Sequence, residues 1–253
     1  MKIGIVGYGH VGKHTHKLFK DAIIYDNHLN MGSRNEINLC DTVFICVPTP
    51  MSTNGSCDTS IVESVIQWVQ TKLIIICSTV AVGFTDLMMK KYSKEIVFHP
   101  EYYGETTDHP FANLKTRQWL SFGGSPNGIN LAIKTFQTVL NSNIKIHQAP
   151  AKDIEFAKYM ENVFLAAKVT FCNEMYDIAN ALGVNYYQSR EAWLADPRIG
   201  RSHTFVYEDN RGFDGKCLPK DLSSLLYQAH SLKTDVTFLE AIQNKNNYYK
   251  EEK

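Results

Sequence analysis

The amino-terminal run Lys2 to Gly12 constrains the fold more than any other stretch. Residues 2–6 are a short strand-like run, and Gly7-Tyr8-Gly9-His10-Val11-Gly12 follows at once. Three glycines at this spacing favour a tight turn over a continued strand, and they let backbone approach closely. Residues 11–19 then read as a helix. Strand, glycine turn and helix in that order set a helix N-terminus, with its orphan N–H groups and partial positive charge, above the end of a buried strand. That geometry suits a pyrophosphate, with Gly7, Gly9, Val11 and Gly12 as the expected contacts.

Apolar runs go on alternating with helix-like segments. Residues 22–25, 42–47, 73–77, 96–98 and 119–122 read as buried strands, with a last one near 144–147, and 59–70 reads as a helix. The alternation predicts an α/β unit over residues 1–149: a Rossmann-type, doubly wound parallel sheet with helices on both faces. Asp26 ends the second run. A carboxylate there can accept from ribose hydroxyls and repels an added phosphate, and neither Asn27 nor His28 offers the arginine that a 2′-phosphate uses. The expected cofactor is therefore NAD. A turn that holds FAD, or nothing, is the alternative.

At Pro150 the character changes. Residues 151–182 contain no Gly and no Pro and are rich in helix formers, with Gly183 as a stop. A helix of that length would extend roughly 45 Å, which suits a spine between domains or subunits. Another helix is expected from Pro219 through Ala229, and the polar tail beyond Asn244 is expected to fray. Residues 150–253 thus read as an all-helical domain with one long central helix, through which a homodimer would form. Lys+Arg and Asp+Glu both number 26, so no polycationic field favours nucleic acid or an anionic membrane. No run approaches the ~20 apolar residues of a membrane span, and no secretory signal is expected from the first residues. The six cysteines lack a Cys-x-x-Cys pair, which favours reduced thiols in a cytoplasmic protein, and no metal site is expected; His14-x-His16 lacks partners for one.

Further segments extend the pattern over nearly the whole chain: Val47-Pro48-Thr49-Pro50, Ser78-Thr79-Val80, His99-Pro100-Glu101-Tyr102-Tyr103-Gly104-Glu105, Lys158-x-x-x-Asn162, Asn173-Glu174, Asp196-Pro197-Arg198-Ile199-Gly200 and the run from Gly212 through Cys217 to Asp221. In type and order they resemble the UDP-glucose/GDP-mannose dehydrogenase family, the last segment most specifically. The resemblance implies two successive NAD-dependent oxidations of a nucleotide sugar, alcohol to aldehyde and aldehyde level to carboxylate, through a cysteine-bound thiohemiacetal and thioester. UDP-glucose, giving UDP-glucuronate, is the expected substrate because it is the family's type substrate.

Cys217 matches the family nucleophile. It stands two residues before Pro219, just ahead of an expected helix N-terminus, with Lys216 and Lys220 adding positive potential; such a location favours a thiolate. Lys158 and Asn162, spaced i, i+4, share a helix face and could together stabilise an alkoxide; surface pairing of Lys158 with Glu155 or Glu161 is the plainer alternative. By resemblance Asp221 manages protons, Lys220 and Val47-Pro48-Thr49 contact cofactor, Glu105 activates water, and Glu101 and Gly212 hold substrate. Thr79 would lie near the nicotinamide, and Arg198 would reach a neighbouring subunit's substrate. Asp221 as a first-turn cap, Thr79 as a turn former and Arg198 as a solvated side chain are the alternatives.

Some features depart from the family pattern. Members typically continue into a third, nucleotide-binding domain that is expected to be lacking here. The segment between Asp26 and Cys40 is short, Asp214 stands where a glycine is usual, and the loop between Gly200 and Gly212 is enlarged and carries Glu208 and Asp209. Two other readings stay open: a β-hydroxyacid dehydrogenase with a single hydride transfer and no thiol, and a non-catalytic module that binds NAD or nucleotide sugar.

Overall fold

A computed structural model of the chain describes residues 1–102, 118–140 and 143–251. Seven strands form one sheet: β1 (Ile3–Val6), β2 (Ile23–Tyr25), β3 (Thr42–Ile45), β4 (Leu73–Ile76), β5 (Ile96–Phe98), β6 (Trp119–Gly124) and β7 (Lys145–Ala149), in the order β2-β1-β3-β4-β5-β6-β7. Every residue of β3, β4 and β5 is buried, as expected of parallel strands covered on both faces. On one face Val43, Ile45, Ile74 and Ile76 pack with Val62, Val65 and Ile66 of α3 (Ser60–Trp68) and with Phe84 and Met88 of α4 (Phe84–Tyr92). On the other, Ile5, Phe44 and Ile75 pack with Leu18 of α1 (His10–Leu18) and with Ile129, Ala132 and Phe136 of α5 (Pro126–Gln137). A short α2 (Arg34–Ile37) precedes β3, and its N-cap Ser33 accepts from the Glu36 N–H. The result is the doubly wound architecture expected from the alternation.

The sheet is not parallel throughout. β6 runs antiparallel to β5, pairing Val97 with Gly124 and Phe98 with Gly123, and β7 is parallel to β6. An apolar run carries no record of its direction, so the sequence could place these strands but not orient them. Gly123 has a packing reason: a Cβ there would stand 2.9 Å from the Cα of Ala151.

The chain divides into two compact units, residues 1–50 with 57–158, and residues 51–56 with 159–253. Four helices follow the sheet: α6 (Ala151–Ala181), α7 (Tyr186–Trp193), α8 (Leu218–Ser231) and α9 (Thr237–Glu251). In the second unit Val163 and Ala166 of α6, Leu222 and Leu226 of α8, Ile242 of α9 and Phe213 form the core. The tail expected to fray is instead α9. Its Asn246 exchanges two hydrogen bonds with the Phe213 backbone, at 2.7 and 3.0 Å, and its Tyr249 hydroxyl donates to Asp177 at 2.9 Å. Polar residues that read as solvated are here buried and satisfied, and composition does not distinguish the two. Among the described residues no helix is long and apolar enough to cross a membrane.

Candidate functional site

In the first unit the expected cofactor residues stand at the carboxyl ends of adjacent parallel strands. The strand order reverses between β1 and β3, and such a switch point is where doubly wound sheets open a crevice. Gly7 adopts φ +92°, and a Cβ on it would meet the Cys46 carbonyl oxygen at 2.7 Å; one on Gly12 would stand 2.0 Å from the Gly7 oxygen. Gly9, the N-cap of α1, has open space where its Cβ would be, and no side chain caps the helix. Among the described residues, the first turn of α1, which begins at His10 and includes Val11, therefore has N–H groups without a side-chain acceptor, beside a backbone that a phosphate can approach.

Asp26 lies at the end of β2. One carboxylate oxygen accepts from the Tyr8 N–H at 2.7 Å, the other from the His28 and Leu29 N–H groups at 2.9 and 3.0 Å. Burial pushes its pKa up, but these three donors outweigh burial and hold the carboxyl below the usual range. A carboxylate already fixed in place beside the glycine turn fits a ribose diol. These residues fit NAD.

After β3, Val47 is half-buried, Pro48 exposed and Thr49 buried. After β4, Ser78 Oγ donates to the Val47 carbonyl at 2.6 Å, and Cys57 Sγ to the Thr79 carbonyl at 3.5 Å, so the two strand ends are tied together. Glu101 follows β5 and is half-buried. Lys158, on α6, is only 5% exposed, and its Nζ lies 4.6 Å from the centroid of the Tyr102 ring. Lys158 is therefore not part of a wet surface pair, and Glu155 is turned to other partners (below). Glu105 lies outside the described residues.

In the second unit a polar cluster surrounds the start of α8. Cys217 is the N-cap and is half-buried, and its carbonyl accepts from the Asp221 N–H at 2.9 Å. The Asp221 carboxylate, 1% exposed, accepts from Asn162 Nδ2 of α6 at 2.5 Å and from Lys220 Nζ at 2.5 Å. Asp221 is thus the buried centre of an Asn162–Asp221–Lys220 network one turn from the thiol, more than a first-turn cap. Lys220, expected by resemblance to contact cofactor, donates to this carboxylate.

Two further assigned residues lie in the second unit. Arg198 is 86% exposed and pairs with Asp196 through Nη2 at 2.5 Å. Gly212, at φ +72°, donates its N–H to Asn173 Oδ1 at 3.1 Å, and a Cβ there would meet Asn246 Oδ1 at 2.5 Å. Of the acids that depart from the family pattern, Glu208 in the enlarged loop accepts from the Tyr187 hydroxyl at 3.3 Å, and Asp214 pairs with Lys250 at 3.2 Å.

Three residues escaped sequence reasoning. Arg211 lies 4.8 Å from the ring centroids of both Tyr176 and Tyr249, pairs with Asp177 and donates to Asn173, fixing the start of the segment that leads to Cys217. Tyr102 packs against the Lys158 ammonium, and Glu155 precedes Lys158 by one turn of α6. Only Glu155 had a signal, its place one turn before Lys158 in an otherwise helical run.

Comparison with known proteins bears on the same elements. A family model described as the UDP-glucose/GDP-mannose dehydrogenase family, NAD binding domain, matches residues 22–108, and that family's central domain matches residues 152–248. The chain is 28% identical over 227 residues to a UDP-glucose 6-dehydrogenase of Pseudomonas aeruginosa, which covers 83% of this chain and 49% of that protein. It is 30% identical over 234 residues to a GDP-mannose 6-dehydrogenase of Pseudomonas syringae pv. tomato, covering 83% and 51%. The chain therefore spans about half the length of these curated relatives. The solved UDP-glucose dehydrogenase of the archaeon Pyrobaculum islandicum shares the fold, with a TM-score of 0.85 over 98% of this chain and 68% of that one, at 22% identity. NAD is the cofactor that the matched dinucleotide domain takes. With the two domain models matched in sequence order on a fold that bears the glycine turn and the Cys217 helix, the chain belongs to the UDP-glucose/GDP-mannose dehydrogenase family.

Proposed function

We propose that the chain oxidises the primary alcohol of a nucleotide sugar to the carboxylate in two steps, with UDP-glucose as the first candidate substrate. The observation that carries this reading is Cys217 at the positive end of α8, one turn from the buried Asp221 network. Relatives named as UDP-glucose and GDP-mannose 6-dehydrogenases support the nucleotide-sugar class of substrate.

NAD supplies the hydride acceptor for both oxidations. In the first, the alcohol proton passes to a water managed by Asp221 as hydride leaves C6, and Lys158 with Asn162 would donate to the oxygen while it carries negative charge. Cys217 sulfur then adds to the aldehyde carbon, a C–S bond forms as the carbonyl π bond breaks, and the oxygen takes a proton back from the same Asp221-held water. In the second, hydride again leaves that carbon, the hydroxyl proton passes to the same water, and a thioester remains. Water attacks the thioester, the C–S bond breaks, and the thiolate is restored at the helix end. Glu105 is the proposed base for that water. Glu101 and Thr79, at the ends of β5 and β4, are proposed to hold sugar and water, Gly212 to contact substrate, and Val47, Pro48 and Thr49 to line the cofactor.

The test is a panel of UDP- and GDP-sugars with the purified chain and NAD. The expected yield is about two NADH per sugar consumed. A yield near one, or release of aldehyde, would sink the two-step assignment.

The same reading includes a homodimer through α6, with Arg198 reaching the substrate of the neighbouring subunit. Met160, Phe164, Phe171 and Ile178 recur along one face of α6 and are exposed, Phe164 by 64%. Isolated exposed apolar residues are ordinary, but a repeating stripe is the mark of an association surface. Sedimentation should show a dimer that Phe164→Asp converts to monomer. A wild-type chain that sediments as a monomer at micromolar concentration would refute the assembly.

A further inference from the structure

Glu155 has been given no part in the reaction, yet it is 0% exposed and lies on α6 one turn before Lys158. Its carboxylate faces the amino end of α4. One oxygen accepts from the Gly83 N–H at 2.6 Å and the other from the Thr85 N–H at 2.9 Å. α4 has no side-chain cap of its own, because its N-cap is Gly83, at φ +90°. The acceptor that a helix start needs is thus brought in from another element. Burial pushes the Glu155 pKa above the usual carboxylate range, and its hydrogen bonds pull it back only in part.

The loop that leads into α4 is the one that bears Thr79. It is already tied to the end of β3 through Ser78 and Val47, and Cys57 holds the Thr79 carbonyl. Lys158 is in turn held by the Tyr102 ring, 4.6 Å from its Nζ. All of these contacts lie within the first unit. They form one connected set from the strand ends that receive the cofactor to the helical turn that carries the lysine.

We propose that Glu155 is a positioning residue, which clamps the start of α6 to the amino end of α4 and so fixes where the Lys158 ammonium stands. Glutamine at this position has the same shape but only one acceptor. A carboxyl oxygen can accept an N–H in either protonation state, whereas an amide nitrogen cannot, so Glu155→Gln breaks one of the two bonds. The first turns of α6 then settle elsewhere, and Lys158 moves with them. Misplacing a reacting group by about 1 Å costs on the order of 10²-fold in rate.

The inference rests on the reading of Lys158 as the oxyanion-stabilising group, so its test has an arm that needs no turnover. The chain is labelled with ¹³C at lysine Cε, and the Lys158 signal is assigned by its loss in Lys158→Arg. In the wild type the Tyr102 ring current should shift that signal away from the other lysines. In Glu155→Gln it should move toward them, while the remaining lysine signals and the affinity for NADH stay as in wild type. In the turnover arm, kcat should fall about 10²-fold with KM for the sugar little changed. A Lys158 signal that stays in place in Glu155→Gln overturns the proposal, as does an unchanged kcat in an active enzyme. A wild type that oxidises no nucleotide sugar sinks the functional reading instead, and the Lys158 signal still judges Glu155. Should Glu155→Gln fail to fold, Glu155→Asp keeps the charge, shortens the reach by one methylene, and decides by the same signal.

Discussion

Cys217→Ser should lower carboxylate formation by at least roughly 10³-fold, because a serine hydroxyl at neutral pH lacks the thiolate fraction that makes cysteine a nucleophile. The substitution replaces one small side chain by another at a half-buried helix N-cap, a position where serine is itself favoured, so the fold should be unaffected. Two distinguishable products would follow. If the first oxidation survives, about one NADH appears per sugar and aldehyde accumulates, since the trap that commits the aldehyde to the second oxidation is gone. If aldehyde stays bound and inhibits, NADH stops near one equivalent per active site. In either case the yield of about two is lost. Wild-type turnover in Cys217→Ser would instead favour the single-hydride β-hydroxyacid reading, in which no thiol takes part. Quenched-flow measurement of NADH and acid in parallel decides among these outcomes.

How much of this could be read from residues alone depends on what kind of fact was being read. The sheet, its buried strands and the long helix were legible because apolar period and the absence of Gly and Pro are local signals. The glycine turn and Asp26 were legible for a related reason: backbone requirements at Gly7 and Gly12 can be met by no other residue, so the need is written in the identity. The Asn162–Asp221–Lys220 network was half legible. Spacing placed Lys158 with Asn162, and Cys217 with Asp221, but nothing in sequence joins α6 to α8, and Lys220 found its partner in the adjacent carboxylate. Strand direction at β6 and the buried face of α9 were not legible. Direction is set by the connection, and Asn246 or Tyr249 looks the same in a wet tail as in a satisfied core. Glu155 is the extreme case. A glutamate beside a lysine in a helix reads as surface pairing, and only the uncapped start of α4, 70 residues earlier, explains it.

The buried network also sets the largest expected effect on stability. Asp221 accepts from Asn162 and Lys220 while almost wholly removed from solvent, and the Lys220 side chain is itself 15% exposed. Asp221→Ala removes the carboxylate that accepts from both groups and leaves an ammonium and an amide without that acceptor in a site only slightly open to solvent. Breaking one side of a buried pair in this way costs about 3–5 kcal/mol, mostly as the penalty of the charge left behind. For a chain of this size a loss of about 3 kcal/mol corresponds to a fall in Tm of roughly 6–12 °C. The pair itself need not stabilise the fold to that extent, because forming it required both groups to leave water. The two statements separate in a cycle. Asp221→Leu combined with Lys220→Met, which removes both charges and fills the space, should recover most of the stability that Asp221→Ala loses, yet stay as inactive as Cys217→Ser if the carboxylate serves the chemistry. Calorimetry and turnover on the same variants test both halves. A loss below about 1 kcal/mol in Asp221→Ala would mean that the lysine reaches solvent, as surface charges do, and the cluster beside Cys217 would then have to be regarded as open.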